Sequence, residues 1–92
     1  MRLHWTPHAR EDLFRLAESA GDPGSEATLL RGAIAATEQL QAHPRIGPAI
    51  DSDRIRKWPI AGTPCLILYM VREDAILLLR IVHNRSDWQS LS

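Results

Sequence analysis

The sequence predicts an α+β fold, a helical hairpin packed on a mostly antiparallel sheet in the order β-α-α-β-β-β. Three observations carry this. Up to about residue 43 the apolar side chains recur at helical spacing, interrupted once by Gly21-Asp22-Pro23-Gly24. From residue 54 the period shortens: Arg54-Ile55-Arg56-Lys57-Trp58-Pro59 alternates, and residues 66–71 and 76–82 are nearly unbroken apolar runs. Ahead of the helices, Leu3-His4-Trp5 reads as a brief strand stopped by Pro7.

Each element has a local reason. Thr6 before Pro7 combines an N-cap hydroxyl with proline at the first helical position, and Glu11 and Asp12 follow early in the helix. Ala9, Leu13, Leu16 or Ala17, and Ala20 give that helix an apolar face over about four turns. Ser25 has the chemistry to open the second helix, where Ala27, Leu30, Ala33, Ile34, Thr37 and Leu40 form a stripe containing small residues. Small side chains let the two helices approach as an antiparallel hairpin. His43-Pro44 closes the second helix, because the residue before proline avoids the helical region. Pro44-Arg45-Ile46-Gly47-Pro48 then makes a rigid loop. Arg72-Glu73-Asp74 is the hairpin turn between the last two strands.

Ninety-two residues with 45% apolar side chains are read as a single domain, residues 1–92, burying roughly 60–65% of its unfolded surface. Eleven Lys and Arg balance eleven Asp and Glu, which argues against a strongly cationic nucleic-acid binder. Residues 1–44 carry four basic and six acidic groups, a net of −2; residues 45–92 carry seven and five, a net of +2. Positive charge therefore gathers mildly on the sheet half. A lone cysteine, Cys65, excludes an internal disulfide and Cys-pair zinc spacing, which fits a reducing interior. The opening residues lack the apolar run of a signal peptide, and no apolar run approaches the ~20 residues of a membrane helix. A soluble, cytoplasmic protein is expected.

The chemistry census is thin. The five glycines form no phosphate-cradling fingerprint. His4 and His8 are four apart, but Pro7 lies between them at a strand–helix junction, so no metal site is expected, and no cofactor. Two clusters remain. Arg54, Arg56 and Lys57 lead into Trp58; on a strand Arg54, Arg56 and Trp58 project to one side and Ile55 and Lys57 to the other. This is either an edge strand guarded by its charges or a basic-aromatic surface for an acidic peptide or nucleic acid. Arg80, His83, Asn84, Arg85, Asp87 and Trp88 form the second cluster. There, histidine could move protons and arginines could hold phosphate, or Trp88 packs down while the charges face water.

The ordered set Trp5-Thr6-Pro7-x-Ala9-x-x-Asp12-Leu13, Leu40-x-x-x-Pro44-x-x-Gly47, the basic strand ending at Pro59, Leu66-x-Leu68-Tyr69-x-Val71, and His83-Asn84-Arg85-Ser86-Asp87-Trp88 resembles the ParE/RelE superfamily of type II toxin–antitoxin toxins. It is closest in kind to the ParE branch, whose members are commonly labelled plasmid-stabilisation proteins. The resemblance spans nearly all of the chain. It implies a growth inhibitor neutralised by a ParD-like antitoxin whose C-terminal segment wraps round it. ParE-like members inhibit DNA gyrase; RelE-like members cut messenger RNA on the ribosome.

Neutral net charge and the ending at Trp88 favour the gyrase branch, in which the chain is a protein-binding inhibitor and not an enzyme. Leu66 stands where many relatives of both branches carry an arginine, which also fits a weakened or inactive toxin. The alternatives are a ribosome-dependent endoribonuclease using Arg80, His83 and Arg85, and a non-toxic relic retaining only antitoxin affinity. For the antitoxin contact, acidic side chains are expected near Arg54, Arg56, Lys57 and Trp58, and apolar ones on the hairpin at Leu13 and Leu16.

Overall fold

The computed structural model describes residues 1–50 and 54–84. Its elements run β1 (Arg2–Trp5), α1 (Pro7–Glu18), α2 (Pro23–Ala42), β2 (Ala49–Ile50), β3 (Ile55–Pro59), β4 (Cys65–Arg72) and β5 (Ala75–His83). The five strands form one sheet in the order β1-β5-β4-β3-β2. All neighbours are antiparallel except β1, which lies parallel to β5 with Arg2 opposite Ala75 and Trp5 opposite Leu78. The predicted α+β architecture is therefore present, with one strand more than expected.

Strand alternation divides the apolar residues between two faces. On the helix side, Leu29, Ala33, Ala36 and Leu40 of α2 and Ala9 and Ala17 of α1 bury against Ile67, Tyr69, Ile76 and Leu78. On the opposite side Leu68 and Val82 are buried with half-buried Ile50, Ile55 and Leu66 around them. Two glycines allow close approaches. A Cβ on Gly32 would sit 2.7 Å from Ile60 Cγ2, so α2 packs tightly over the β3–β4 connection. A Cβ on Gly47 would collide with the Lys57 carbonyl and lie 2.8 Å from the Tyr69 hydroxyl.

Several local expectations are corrected. α1 is twelve residues long, ending at Glu18 and not at Ala20: the Ala20 N–H donates only three residues back, to the Ala17 carbonyl at 3.3 Å, and the Ser19 hydroxyl donates to the Arg15 carbonyl at 2.7 Å. α2 opens at Pro23 and not at Ser25: the Asp22 carboxylate caps it, accepting from the Ser25 N–H at 2.8 Å and the Ser25 hydroxyl at 3.0 Å. Those bonds hold Asp22 below the usual carboxylate range. The buried stripe of α2 is also rotated from the predicted one, with Leu29 and Ala36 inside and Ile34 62% exposed. β3 is not the sheet edge, since β2 pairs with it through Ala49 and Ile50. Arg54 lies ahead of β3 rather than within it.

Thr6 does cap α1 as expected, accepting from the Ala9 N–H at 3.2 Å, and Pro7 occupies the first turn. The 72–74 turn tightens to Glu73 and Asp74, with Glu73 at φ 51°, a left-handed position that L side chains rarely adopt.

Tyr69 connects the core to the loop after α2. Its fully buried hydroxyl accepts from the Gly47 N–H at 3.0 Å. Burial raises its pKa above the ordinary value of 10.0, only partly offset by the Gly47 bond and by Arg56. A neutral phenol favoured by folding contributes stability that is intact below the unfolded value near 10 and is lost as pH rises through the higher folded value. Tyr69 is the chain's single tyrosine, so near-UV titration of tyrosinate reads it directly. The midpoint should lie above that of free tyrosine, with loss of structure accompanying ionisation. Gly47→Ala should destabilise the fold by about 1–3 kcal/mol in urea unfolding, as overpacking against backbone does.

Candidate functional site

The last strand outruns its neighbour. β1 covers β5 only as far as Leu78, and beyond that point α1 supplies the missing partners. Leu68 pairs with Arg80 and Tyr69 with Leu78, so Leu79 is an extra residue that bulges the strand where β1 ends. The Thr6 hydroxyl donates to the Leu78 carbonyl at 2.7 Å, while the buried Asp12 carboxylate accepts from the Ile81 N–H at 3.0 Å. Arg80 completes the anchor: its Nε donates to Asp12 Oδ2 at 2.7 Å and its Nη2 to Oδ1 at 3.1 Å. Arg15 adds a fourth donor at 2.9 Å from the solvent side.

This anchor determines what the predicted catalytic trio can do. Arg80 has two of its donors on Asp12, which raises its pKa further and ties the guanidinium to α1. His83, half-buried at the end of β5, lines a groove instead. Arg85 and Trp88 lie outside the described residues. Asp12 was missed as a site residue, though a signal existed: it interrupts the apolar stripe of Ala9, Leu13 and Leu16, and Arg80 is the one charge in residues 75–82.

The expected partner-binding residues separate into two places. Leu16 lines a groove of about 770 Å³ between the α1–α2 turn, the β3–β4 connection and His83. That groove continues past Leu16, Ser19 and His83 into a smaller one beside Asp12 and Arg80. Leu13 packs half-buried against the main core. At the other end of β4, Arg54 and Arg56 join Arg45, Arg72, Met70 and Val71 around a depression of about 460 Å³. Cys65 borders the first site and Met70 the second, so at ~3.4 Å per residue they stand well over 10 Å apart along β4.

Trp58 is a bridge within the fold as well as a surface residue. Its indole packs on the main core and its Nε1–H donates to Gln39 Oε1 of α2 at 3.1 Å. Arg56 and Trp58 do share the helix-side face, opposite Tyr69 and Ile67, while Lys57 lies opposite Leu68 on the other face. Arg56 Nη1 donates to the Gly47 carbonyl at 2.8 Å and the Arg45 carbonyl at 3.3 Å, pinning the loop that carries Arg45. Cys65 is buried, and burial pushes its thiol pKa up, which disfavours a reactive thiolate. Among the described residues no group of three His, Cys, Asp or Glu side chains gathers to hold a metal. Nor is any described helix long and apolar enough to cross a membrane.

A helical hairpin on a five-stranded mixed sheet, with α1 bonded along the free edge of the last strand, defines the structural class. Within that class, the chain belongs to the family of ParE toxins of the type II toxin–antitoxin system parDE, which matches residues 3–88. The fold is similar to a chain of the chromosomal ParDE toxin–antitoxin system from P. aeruginosa, with a TM-score of 0.67 and 20% identity, covering 90% of this chain and 95% of that one. It is also similar to the conserved hypothetical protein HP0894 from Helicobacter pylori, with a TM-score of 0.59 and 17% identity, covering 90% and 93% of the two chains. No curated protein matches by sequence.

The anchor yields a direct expectation. Asp12→Ala leaves the Ile81 N–H and the Arg80 guanidinium without their acceptor and should cost about 3 kcal/mol in urea unfolding. Arg15→Ala, removing an exposed partner of the same carboxylate, should cost about 1 kcal/mol or less.

Proposed function

We propose that the chain is the growth-inhibiting toxin of a ParDE-type pair, acting inside the cell by occupying a surface of DNA gyrase and neutralised by the C-terminal segment of its antitoxin. Family membership supplies the toxin class. The observation that favours gyrase over RNA cleavage is the outward face of the sheet. Leu66 joins Leu68, Val82, Ile50 and Ile55 there in an apolar cluster, beside which Lys57 of β3 is a cation on the same face. RNA-cleaving relatives are expected to present arginine and lysine from the sheet, since phosphodiester cleavage requires stabilisation of developing negative charge. Among the described residues, the candidate cation Arg80 at the strand end is engaged with Asp12.

Antitoxin capture is supported by two features. Phe14 and Ile34 stand 61% and 62% exposed on the two helices, which is apolar surface a bound peptide would cover. The separation of the Leu16 groove from the Arg54–Arg56 depression suits an extended segment running along the molecule, with apolar contacts at one end and acidic contacts at the other.

A supercoiling assay with purified gyrase tests the target: inhibition at micromolar chain is expected, and its absence would overturn the gyrase reading. His83→Ala should remain fully toxic on induction. Loss of toxicity in that variant, together with new mRNA ends by primer extension, would transfer the reading to an endoribonuclease. Unimpaired growth on induced expression without antitoxin would instead mark a non-toxic relic.

A further inference from the structure

We propose that the depression formed by Arg45, Arg54, Arg56 and Arg72 is a carboxylate-binding site that takes a run of Glu or Asp side chains from the partner polypeptide. The inference deepens the antitoxin reading and rests on it for the identity of the partner. The four arginines come from separate parts of the chain: the loop after α2, the turn before β3, β3 itself and the end of β4. Folding alone brings them together, and two of them, Arg45 and Arg72, belonged to no cluster in the sequence.

The site is built in advance of any ligand. Arg56 holds the carbonyls of Arg45 and Gly47, and Gly47 is itself bonded to Tyr69, so the loop is fixed to the core beneath it. Arg56 does this with Nη1, which leaves its Nε and Nη2 for a ligand. Among the described residues no carboxylate forms an ion pair with any of the four guanidinium groups. Four like charges around one depression repel each other, and an anion relieves that repulsion. A guanidinium donates two parallel N–H groups that match the two oxygens of a carboxylate.

Polypeptide carboxylates fit better than nucleic-acid phosphates for two reasons. The chain has no net charge, so there is no broad cationic field to attract a polyanionic backbone. Met70 and Val71 also line the depression, and no aromatic ring lines it for a base to stack on. Apolar side chains beside the arginines suit the methylenes and carboxylates of glutamate.

The test titrates a hexaglutamate peptide into the full chain and follows the arginine Nε–H signals by NMR. Saturable binding that weakens with salt is expected. Arg54→Glu and Arg72→Glu, both at exposed positions where the fold is not at stake, should each lower affinity by about tenfold or more. Arg31→Glu, remote on α2, should change it by less than about twofold.

Failure of the wild-type chain to bind, or binding unchanged by Arg54→Glu and Arg72→Glu, would overturn the proposal. So would tighter binding of inorganic phosphate or of a hexathymidine oligonucleotide. Asp51 and Asp53 lie outside the described residues, so a chain carrying Asp51→Asn and Asp53→Asn is titrated as well. Binding confined to that variant would mean that the site is filled from within, and would also overturn it. Antitoxin capture and gyrase inhibition are measured separately, so a chain that keeps both but ignores hexaglutamate loses this inference alone.

Discussion

The fold depends on how its last strand is finished. A parallel β1 of four residues cannot cover a β5 of nine, and an open strand end carries backbone groups that need partners. α1 provides them with side chains. Thr6 caps its own helix and donates to β5 with the same hydroxyl, and Asp12 reaches across to the Ile81 N–H. A carboxylate this deeply buried requires compensation, and Arg80 supplies it with two aligned donors. The Leu79 bulge lies at the point where strand pairing gives way to helix pairing. Helix position, strand register and the fate of Arg80 are therefore one arrangement.

That arrangement has a functional consequence. A guanidinium bonded to a buried carboxylate is well placed to hold a helix and badly placed to follow charge through a reaction. Among the described residues, those open to other molecules include the Leu16–His83 groove, the exposed Phe14 and Ile34, and the arginines at the opposite end of the sheet. They are spread along a body whose longest dimension is 38 Å. Such a distribution fits recognition of extended chains better than chemistry concentrated at one point.

Most of the fold was legible because it rests on local rules. Thr6-Pro7, His43-Pro44, the glycine-rich break and the two apolar runs each act within a few residues. What escaped was set by partners far away in the chain. Asp12 looks like an ordinary acidic residue of an early helical turn until Ile81, 69 residues on, is placed beside it. β2 has only two residues, too short for any alternation, and exists because β3 offers it an edge. Ile34 belongs to a plausible stripe by spacing, yet the sheet selects the stripe through Leu29 and Ala36. Of the candidate site, Arg54 and Arg56 were visible as a basic run. Arg45 lay in a loop and Arg72 at a turn, and the β3–β4 pairing together with the Arg56 and Tyr69 bonds to the 45–47 loop gathers all four.

Leu66 sets the character of the outer face of the sheet. Its neighbours across the sheet are Pro59 and Val82, and it packs with Leu68 on the face away from the helices. Its side chain stabilises the apolar cluster of that face. A cation there would have to extend into solvent from among Ile50, Ile55 and Val82, or be desolvated without a partner. On this chain the outer face of the sheet adds to the core. Four of the chain's eleven basic side chains, Arg45, Arg54, Arg56 and Arg72, gather beside Met70 and Val71, away from Asp12 and Arg80.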